Sequence, residues 1–224
     1  GNREPAGKTK KRDEEMREKH HQQLAMMPKF LLALGIHVCS AKGWEADDVI
    51  AWYAINHEEV PYIVVSGDKD IVQLAAKPNV HVYMPSQHEL IEKCPSTYLL
   101  RRCMQGDSSD NISGIGGVGE TYAAEICSEV PKGTRTPSEL LEHYKGKHRD
   151  KIIKGRKNLR RNWRLMNLNY SVGIMANEDV KPKVVRGEYD EKAFLALCHE
   201  HGFRSIIAER QLFLEPFRQL RSKK

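Results

Sequence analysis

Seven carboxylates occur in three short segments of the sequence, and their density is the first sign of chemistry. They are Glu45, Asp47 and Asp48 in GWEADDVIA, Asp68 and Asp70 in SGDKD, and Asp107 and Asp110 in GDSSD. Because neighbouring carboxylates repel one another, such clusters need cations. Oxygen ligands without paired Cys or His favour Mg²⁺ or Mn²⁺, and two such ions about 4 Å apart can activate water and stabilise both oxygens of a phosphoryl displacement.

The first acidic segment also has an ordinary explanation, because the N–H groups at the start of a helix favour acids there. Helical spacing puts Glu45 and Asp48 on one face and Asp47 elsewhere, unless Glu45 lies in the turn before the helix. The second acidic segment favours a ligand-binding site over a helix cap. Asp68 and Asp70 directly follow an apolar strand, at the sheet edge where open α/β folds bind ligands.

A glycine-rich run, NISGIGGVGE, follows the third acidic segment. Its glycines are Gly114, Gly116, Gly117 and Gly119. Such a turn, followed by a helix start, lets backbone N–H groups approach a phosphate without reading a base. It is neither a dinucleotide fingerprint, since no strand precedes it, nor a P-loop, since no Gly-Lys-Ser/Thr ends it. Alone, it is weak support for phosphate binding.

Positive charge is concentrated in one segment, residues 145–164, which holds ten Lys or Arg and one acid. The segment is +9 in a chain of net charge +6, so the rest of the chain sums to −3. Within it, cations recur every three or four residues opposite an apolar stripe, which predicts a helix with one basic face. These cations are Lys151, Lys154, Lys157, Arg161 and Arg164. Contact with a polyanion is favoured over an ordinary solvated helix.

The elements that must position these residues follow from apolar periodicity. An apolar stripe predicts a helix over residues 24–34, whereas the first 24 residues lack one and are interpreted as an arm or a broken element. We predict a strand at residues 36–39, then a helix from GWEADDVIAWYAINHEE, then a strand YIVV buried on both faces, which makes a β-α-β unit. VHVYMP predicts another strand. After about residue 95 helices dominate, at residues 98–105, 120–129, 137–144 and 151–168.

Composition excludes several classes of protein. The chain has 224 residues, a mean hydropathy of −0.60 and no apolar run near the roughly 20 residues of a membrane span. Its opening residues do not resemble a secretory signal. The five cysteines form no CxxC pair, which argues against disulfides and structural zinc. The grouping of Cys198, His199 and His201 is interpreted as helix surface. We expect a soluble, intracellular protein.

The order of the acidic segments, the strand between them and the glycine-rich run resembles one family. This family is the 5'-nucleases, which comprise flap endonucleases and 5'-3' exonucleases, and the phage and bacterial branch is the most similar. The motifs extend over residues 43–125, with weaker similarity through RRNWRLMNL to residue 168.

The resemblance implies a fold and a division of the chain. The fold is α/β: a PIN-like parallel-sheet domain followed by a helical region with a helix-three-turn-helix motif that grips duplex DNA. Residues 1–24 would be a remnant of the family's helical arch or a flexible arm, residues 25–104 the metal-binding domain, and residues 105–224 the helical region.

The resemblance also implies roles for individual residues. Glu45 and Asp47 match ligands of a first metal ion, and the carboxylates from Asp47 onward match those forming or supporting a second. The glycine turn, residues 114–119, matches the duplex-binding hairpin, where the family also binds K⁺. With the turn, the expected DNA contacts are Thr121, Lys151, Lys154, Lys157 and Arg161.

Three departures from the family pattern stand out. The chain begins after two strands that each supply an aspartate to the first metal, so we expect the second site to bind metal better. The arch motif Tyr-Lys-x-x-Arg has only KTKKR as a counterpart, which offers Lys10 and Arg12. The hairpin's Gly-Pro-Lys is replaced by Gly119, Glu120 and Thr121, which removes a cation near the phosphate.

The sequence therefore predicts a structure-specific 5'-nuclease that cleaves branched, nicked or flapped DNA with two metal ions, while Lys10 or Arg12 neutralises the phosphate. A non-catalytic module for branched DNA is the alternative, and a PIN-type ribonuclease ranks last because it leaves the hairpin without a purpose. We expect a monomer without membrane contact, acting in a bacterium or a phage-infected cell rather than in a nucleus.

Overall fold

The computed structural model describes the backbone of residues 6–221 and the side chains of residue 14 and residues 16–220. Its internal contacts divide the chain into two units. The terminal unit combines Gly1–Ser40 with Lys183–Lys224, and the central unit is Ala41–Pro182. The domain limits at residues 24 and 104 stay predictions. None of the described helices is both long enough and apolar enough to cross a bilayer.

The described chain is a mostly helical α/β structure. The α-helices are α1 (Ala6–Ala33), α2 (Ala46–Asn56), α3 (Tyr98–Gln105), α4 (Glu120–Ser128), α5 (Pro137–His143), α6 (Arg149–Met166), α7 (Leu168–Asn177), α8 (Glu191–Glu200), α9 (Arg204–Ala208) and α10 (Arg210–Arg221). The strands are β1 (Val38–Ser40), β2 (Tyr62–Val65), β3 (Val80–Met84), β4 (Glu89–Ile91), β5 (Gly106–Asp107), β6 (Ile112–Ser113) and β7 (Lys183–Val185), and a 3-10 helix covers Asp70–Ala76.

The terminal unit has a small core at the C-terminal end of α1. Phe30 packs edge-on against Phe194 of α8, with ring centroids 5.9 Å apart. Cys198 is also buried in this core, so its assignment to a helix surface is wrong, although His199 is exposed. The stretch before residue 24 is helical from Ala6, because it consists largely of strong helix formers.

The central sheet has the order β2-β3-β4, with β2 and β3 parallel and β3 and β4 antiparallel. The predicted β-α-β unit across α2 is therefore wrong in its first strand. That strand, β1, pairs antiparallel with β7, about 145 residues later in the chain. Three residues of strand carry no periodicity that specifies a distant partner, so the sequence pattern could not identify it.

Burial of β2 also differs from the prediction. Tyr62 and Val64 face a core formed by α2, the 3-10 helix, β3 and α7, whereas Ile63 and Val65 are 68% and 63% exposed. The strand thus alternates between a buried and an open face. A run of β-branched residues is compatible with either arrangement, and what covers a face is decided by elements far away in the sequence.

A second core of the central unit holds the helices that follow the sheet. It packs α3, α4, α5 and α6 around Ile115 and Val118 of the glycine turn. The four helices predicted after residue 95 are confirmed to within about two residues at each end. The ladder between β5 and β6 and the short β7 were not predicted, because segments of two or three residues are too short to show a period of two.

Candidate metal and nucleic-acid site

The first acidic segment starts α2. Glu45 has an extended backbone just before the helix, which is the position that sequence spacing left open. Its N–H donates to Asp48 Oδ2 at 3.1 Å, and Asp48 N–H donates to Asp47 Oδ1 at 2.9 Å. Burial raises the pKa of Asp47, and the charges of Asp48, Glu45 and Asp68 raise it further. The segment therefore caps a helix, and it also places Asp47 within the field of the second acidic segment.

The second segment forms a tight turn after β2. Asp68 is exposed, and its Oδ1 accepts the N–H of Asp70 at 2.8 Å. Asp70 begins the 3-10 helix, and its side chain is only 14% exposed. The turn is also held by Tyr98 of α3, whose hydroxyl donates to the carbonyl of Lys69 at 2.9 Å.

Arg102, in the last turn of α3, bridges the second and third acidic segments. Its Nη2 lies 3.4 Å from Asp70 Oδ1 and also donates to Asp107 Oδ2. The side chains of Arg102 and Asp107 are 12% and 16% exposed, so this bridge is largely shielded from solvent. Sequence reasoning missed Arg102. The available signal was an arginine in the helix that leads directly to Asp107, within side-chain reach of it.

The two carboxylates at this bridge have opposite pKa shifts. Burial raises the pKa of Asp70 to about 6, with the charges of Asp68 and Asp107 adding to the effect and Arg102 opposing it. Hydrogen bonds from the Ser109 hydroxyl and from Arg102 lower the pKa of Asp107 to about 2. At neutral pH the site is therefore a pair of carboxylates around a single guanidinium.

A shallow cavity of about 330 Å³ joins the second and third segments. Asp68, Asp107 and Asp110 line it, together with Lys69 and the two serines between the last two aspartates. Three of the seven predicted carboxylates thus share one opening to solvent. Asp47 stands close enough to Asp68 for their charges to interact.

The carboxylate oxygens of the three acidic segments are the kind of ligand that a hard divalent cation prefers. Their positions, however, do not surround a common point. Among the side chains that the structure describes, no three of His, Cys, Asp and Glu form a group that could hold a metal ion. Arg102 stands between two of the predicted ligands, and both Asp107 oxygens already accept hydrogen bonds, from Arg102 and from Ser109. The assignment of the seven acids as ligands stays a prediction.

The glycine turn has two kinds of glycine. Gly117 has φ +72, which favours glycine, and a Cβ on Gly114 would lie 2.2 Å from the carbonyl oxygen of Gln105. Gly116 and Gly119 are exposed, and a Cβ added to either would meet no described atom within 4 Å. Gly114 is thus fixed by packing, whereas Gly116 and Gly119 leave backbone open to a large ligand.

The basic residues of α6 also divide into two kinds. Lys151 Nζ donates to the carbonyl of Gly117 at 3.1 Å, and Arg161 Nη2 donates to that of Ser113 at 3.1 Å. Both therefore hold the turn in place. Lys154 and Lys157 are exposed and, among the described residues, have no hydrogen bond or ion pair. The opposite stripe of α6 is buried as predicted, at Ile152, Leu159 and Met166.

Asn162 is a second residue that sequence reasoning missed. It is fully buried on α6, and its Nδ2 donates to the carbonyls of Cys103 and Ser113, each at 2.9 Å. It thereby joins α3 and the strand before the glycine turn to the basic helix. Thr121 is exposed in the first turn of α4. The side chains of Lys10 and Arg12 lie outside the described residues.

Comparison of the sequence with known proteins identifies relatives of this chain. The family described as 5'-3' exonuclease, N-terminal resolvase-like domain, matches residues 3–98. DNA polymerase I of Mycobacterium bovis is 33% identical over 172 residues, which are 70% of this chain and 19% of that protein. A 5'-3' exonuclease of Mycobacterium tuberculosis is 33% identical over 125 residues, which are 46% of this chain and 39% of the relative.

A solved structure shares the fold. A mutant of T5 5'-exonuclease aligns with a TM-score of 0.50 and 21% identity, over 60% of each chain. The present chain spans between 12% and 39% of the length of the curated relatives described as DNA polymerase I or 5'-3' exonuclease. Over residues 3–98, the chain is similar to the family described as the 5'-3' exonuclease N-terminal domain.

Proposed function

We propose that this chain is part of a structure-specific 5'-nuclease, which hydrolyses DNA phosphodiesters near 5' ends, flaps or branches. The observation that carries this proposal is the short connection between the acidic cavity and the glycine turn. Asp107 pairs with Ile112 in the ladder of β5 and β6, and the glycine turn follows that ladder directly. A phosphate backbone held by the turn would therefore lie close to the carboxylates.

The proposed partner is branched, flapped or nicked duplex DNA. The open backbone at Gly116 and Gly119 and the exposed cations Lys154 and Lys157 lie on two elements, the glycine turn and α6, that pack in the same core of the central unit. Such groups bind phosphates and so recognise the shape of DNA rather than its sequence. K⁺ at the glycine turn is part of the same proposal.

The proposed cofactor is Mg²⁺ or Mn²⁺, since hard cations match carboxylate oxygens. The second metal site is expected to bind better than the first, because it has more of the family's acids. Lys10 and Arg12 are proposed to neutralise the scissile phosphate. The setting proposed for this activity is DNA replication or repair in a bacterium or a phage-infected cell, by a monomer.

A second candidate function is supported by the bridge at Arg102. With a guanidinium between Asp70 and Asp107, the described acids do not gather around a common ion position. The chain would then bind branched DNA without cleaving it. This candidate keeps the glycine turn and the basic helix and gives up only the hydrolysis.

One experiment separates these candidates. A 5'-flap duplex and a single-stranded RNA, each labelled at the 5' end, are incubated with the protein and Mg²⁺ or Mn²⁺. Cleavage of the flap that Asp68→Asn abolishes, while Asp150→Asn on the basic helix does not, supports the nuclease. Binding of the flap without cleavage supports the second candidate, and preferred cleavage of the RNA contradicts both.

A further inference from the structure

We propose that Arg102 is a built-in counter-cation of the acidic site, and that a divalent cation can use Asp70 and Asp107 together only after the guanidinium has left them. This inference rests on the proposed function, since it assumes that these carboxylates bind a divalent ion. It assigns a role to a residue outside the seven acids.

The fold places Arg102 at this position. Arg102 lies in the last turn of α3, and the chain continues through Gly106 into Asp107. One turn earlier, Tyr98 anchors the same helix to the carbonyl of Lys69, beside Asp70. Both acidic segments are attached to α3. The position of the helix therefore fixes the guanidinium of Arg102 between them.

The contacts of Arg102 use the oxygens that a metal ion would need. Its Nη2 lies on Asp70 Oδ1 and on Asp107 Oδ2, while Asp107 Oδ1 accepts the backbone N–H of Ser109 at 2.8 Å. A guanidinium on these oxygens repels a divalent ion and occupies part of the lone pairs that the ion would use. Binding of the ion therefore competes with the bridge.

The test compares Mn²⁺ binding by the parent and by Arg102→Gln. Removing one positive charge next to the carboxylates should strengthen Mn²⁺ binding by at least about tenfold, measured by titration calorimetry or by the electron paramagnetic resonance signal of free Mn²⁺. The control is Arg101→Gln. Arg101 pairs with Glu120 at 2.6 Å, so this variant changes the net charge equally and should leave Mn²⁺ affinity unchanged.

A stability measurement makes the test independent of activity. In EDTA, Arg102→Gln should have a lower Tm than the parent, because two shielded carboxylates lose their counter-charge. Mn²⁺ should raise the Tm of this variant more than that of the parent. A ligand that binds only the folded protein stabilises it more, at a given concentration, when its Kd is lower. If the variant does not fold in EDTA, recovery of folding in Mn²⁺ supports the proposal and no recovery overturns it.

Failure of this inference can be told apart from failure of the proposed function. If the parent binds Mn²⁺ and cleaves flap DNA, but Arg102→Gln binds Mn²⁺ no more tightly, the inference is overturned and the nuclease stands. If neither protein binds Mn²⁺, the inference is overturned and the metal-dependent function falls with it.

Discussion

Asp70 is the residue whose surroundings should be visible in the pH dependence of stability. Burial raises its pKa from 3.8 to about 6, so the folded protein holds this proton more tightly than the unfolded chain does. Its contribution to stability is then complete below pH 4 and is lost as the pH rises through 6. The pKa of Asp107 is shifted in the opposite direction. Its lowered pKa contributes stability above pH 4, which is lost as the pH falls toward 2.

We therefore expect Asp70→Asn to be more stable than the parent at pH 7.5 in EDTA, by up to about 3 kcal/mol for a pKa shift of about two units. The difference should shrink as the pH falls to 4, since Asp70 is then protonated in the folded protein and close to half protonated in the unfolded chain. Urea unfolding at several pH values measures this. A difference between the two proteins that does not change between pH 4 and pH 7.5 would contradict the prediction.

Among individual residues, the sequence predicted the carboxylates of the candidate site but not the side chains that contact them. The carboxylates at Asp68, Asp70 and Asp107 were found because their spacing is local. Arg102 and Asn162 were not, because their partners lie up to 59 residues away in the chain and a single cation or amide has no period. The partner of an isolated polar side chain depends on how helices pack, which periodicity does not report.

At the scale of elements, the glycine turn allows packing to be separated from binding. Gly114→Ala should lower the free energy of unfolding by roughly 2 to 4 kcal/mol, because its Cβ would meet the backbone of Gln105 and the surrounding structure must shift. Gly116→Ala meets no atom in the described chain and should change stability by less than about 1 kcal/mol. Chemical denaturation measures both.

A second pair of glycine variants tests whether the glycine turn contacts DNA. Gly116→Val adds bulk where the backbone is open, so it should weaken binding to a flap duplex by about tenfold if phosphates approach the turn. Gly173→Val is the matched control, since a Cβ on this exposed glycine of α7 also meets no described atom within 4 Å. Equal affinity of the two variants, measured by fluorescence anisotropy, would contradict a role for the turn in binding.

The basic helix gives a prediction about salt. Lys154→Ala with Lys157→Ala removes the two exposed lysines that bond to no described residue, so duplex affinity should fall and the slope of log affinity against log salt should decrease by about 2. The control pair is Lys93→Ala with Lys132→Ala, which removes two exposed lysines elsewhere in the central unit. If both pairs change the slope equally, the helix has no special role in DNA binding.

Elements themselves were predictable to different degrees. The helices α2 to α6 were found because eight or more residues, or a Pro after a capping Thr as in α5, give a clear local signal. The partner of β1 and the open face of β2 were not, since both are set by chain segments far from the strand. The prediction was therefore right about where β1, β2 and β3 lie along the chain and wrong about the strand that pairs with β1.

At the scale of the molecule, the hydrogen bonds of Gln73 connect the two cores of the central unit. Gln73 Nε2 donates to the carbonyls of Asp70 and Met166, each at 2.8 Å, and its Oε1 accepts the N–H of Leu168 at 3.1 Å. Leu168 packs in the core beside the sheet, whereas Met166 packs in the core around the glycine turn. One buried side chain thus connects the acidic segment to both.

Gln73→Ala should lower the free energy of unfolding by about 3 kcal/mol, because it leaves buried backbone groups without partners and opens a cavity. Gln87→Ala, at an exposed glutamine after β3, is the control and should stay within about 0.5 kcal/mol of the parent. Thermal and urea unfolding measure both variants. Equal stability of the two would show that the hydrogen bonds of Gln73 do not hold the cores together.

The open side of β2 bears on how the protein behaves at high concentration. In the described part of the chain this strand has a ladder partner on one side only, and Ile63 and Val65 are exposed beside the free edge. Ile63→Lys should raise the concentration at which light scattering begins, whereas His88→Lys, on an exposed turn, should not. Unpaired backbone next to exposed β-branched side chains lets strands of separate molecules join edge to edge. Concentrated or heated samples are therefore expected to form β-rich aggregates that start from this edge.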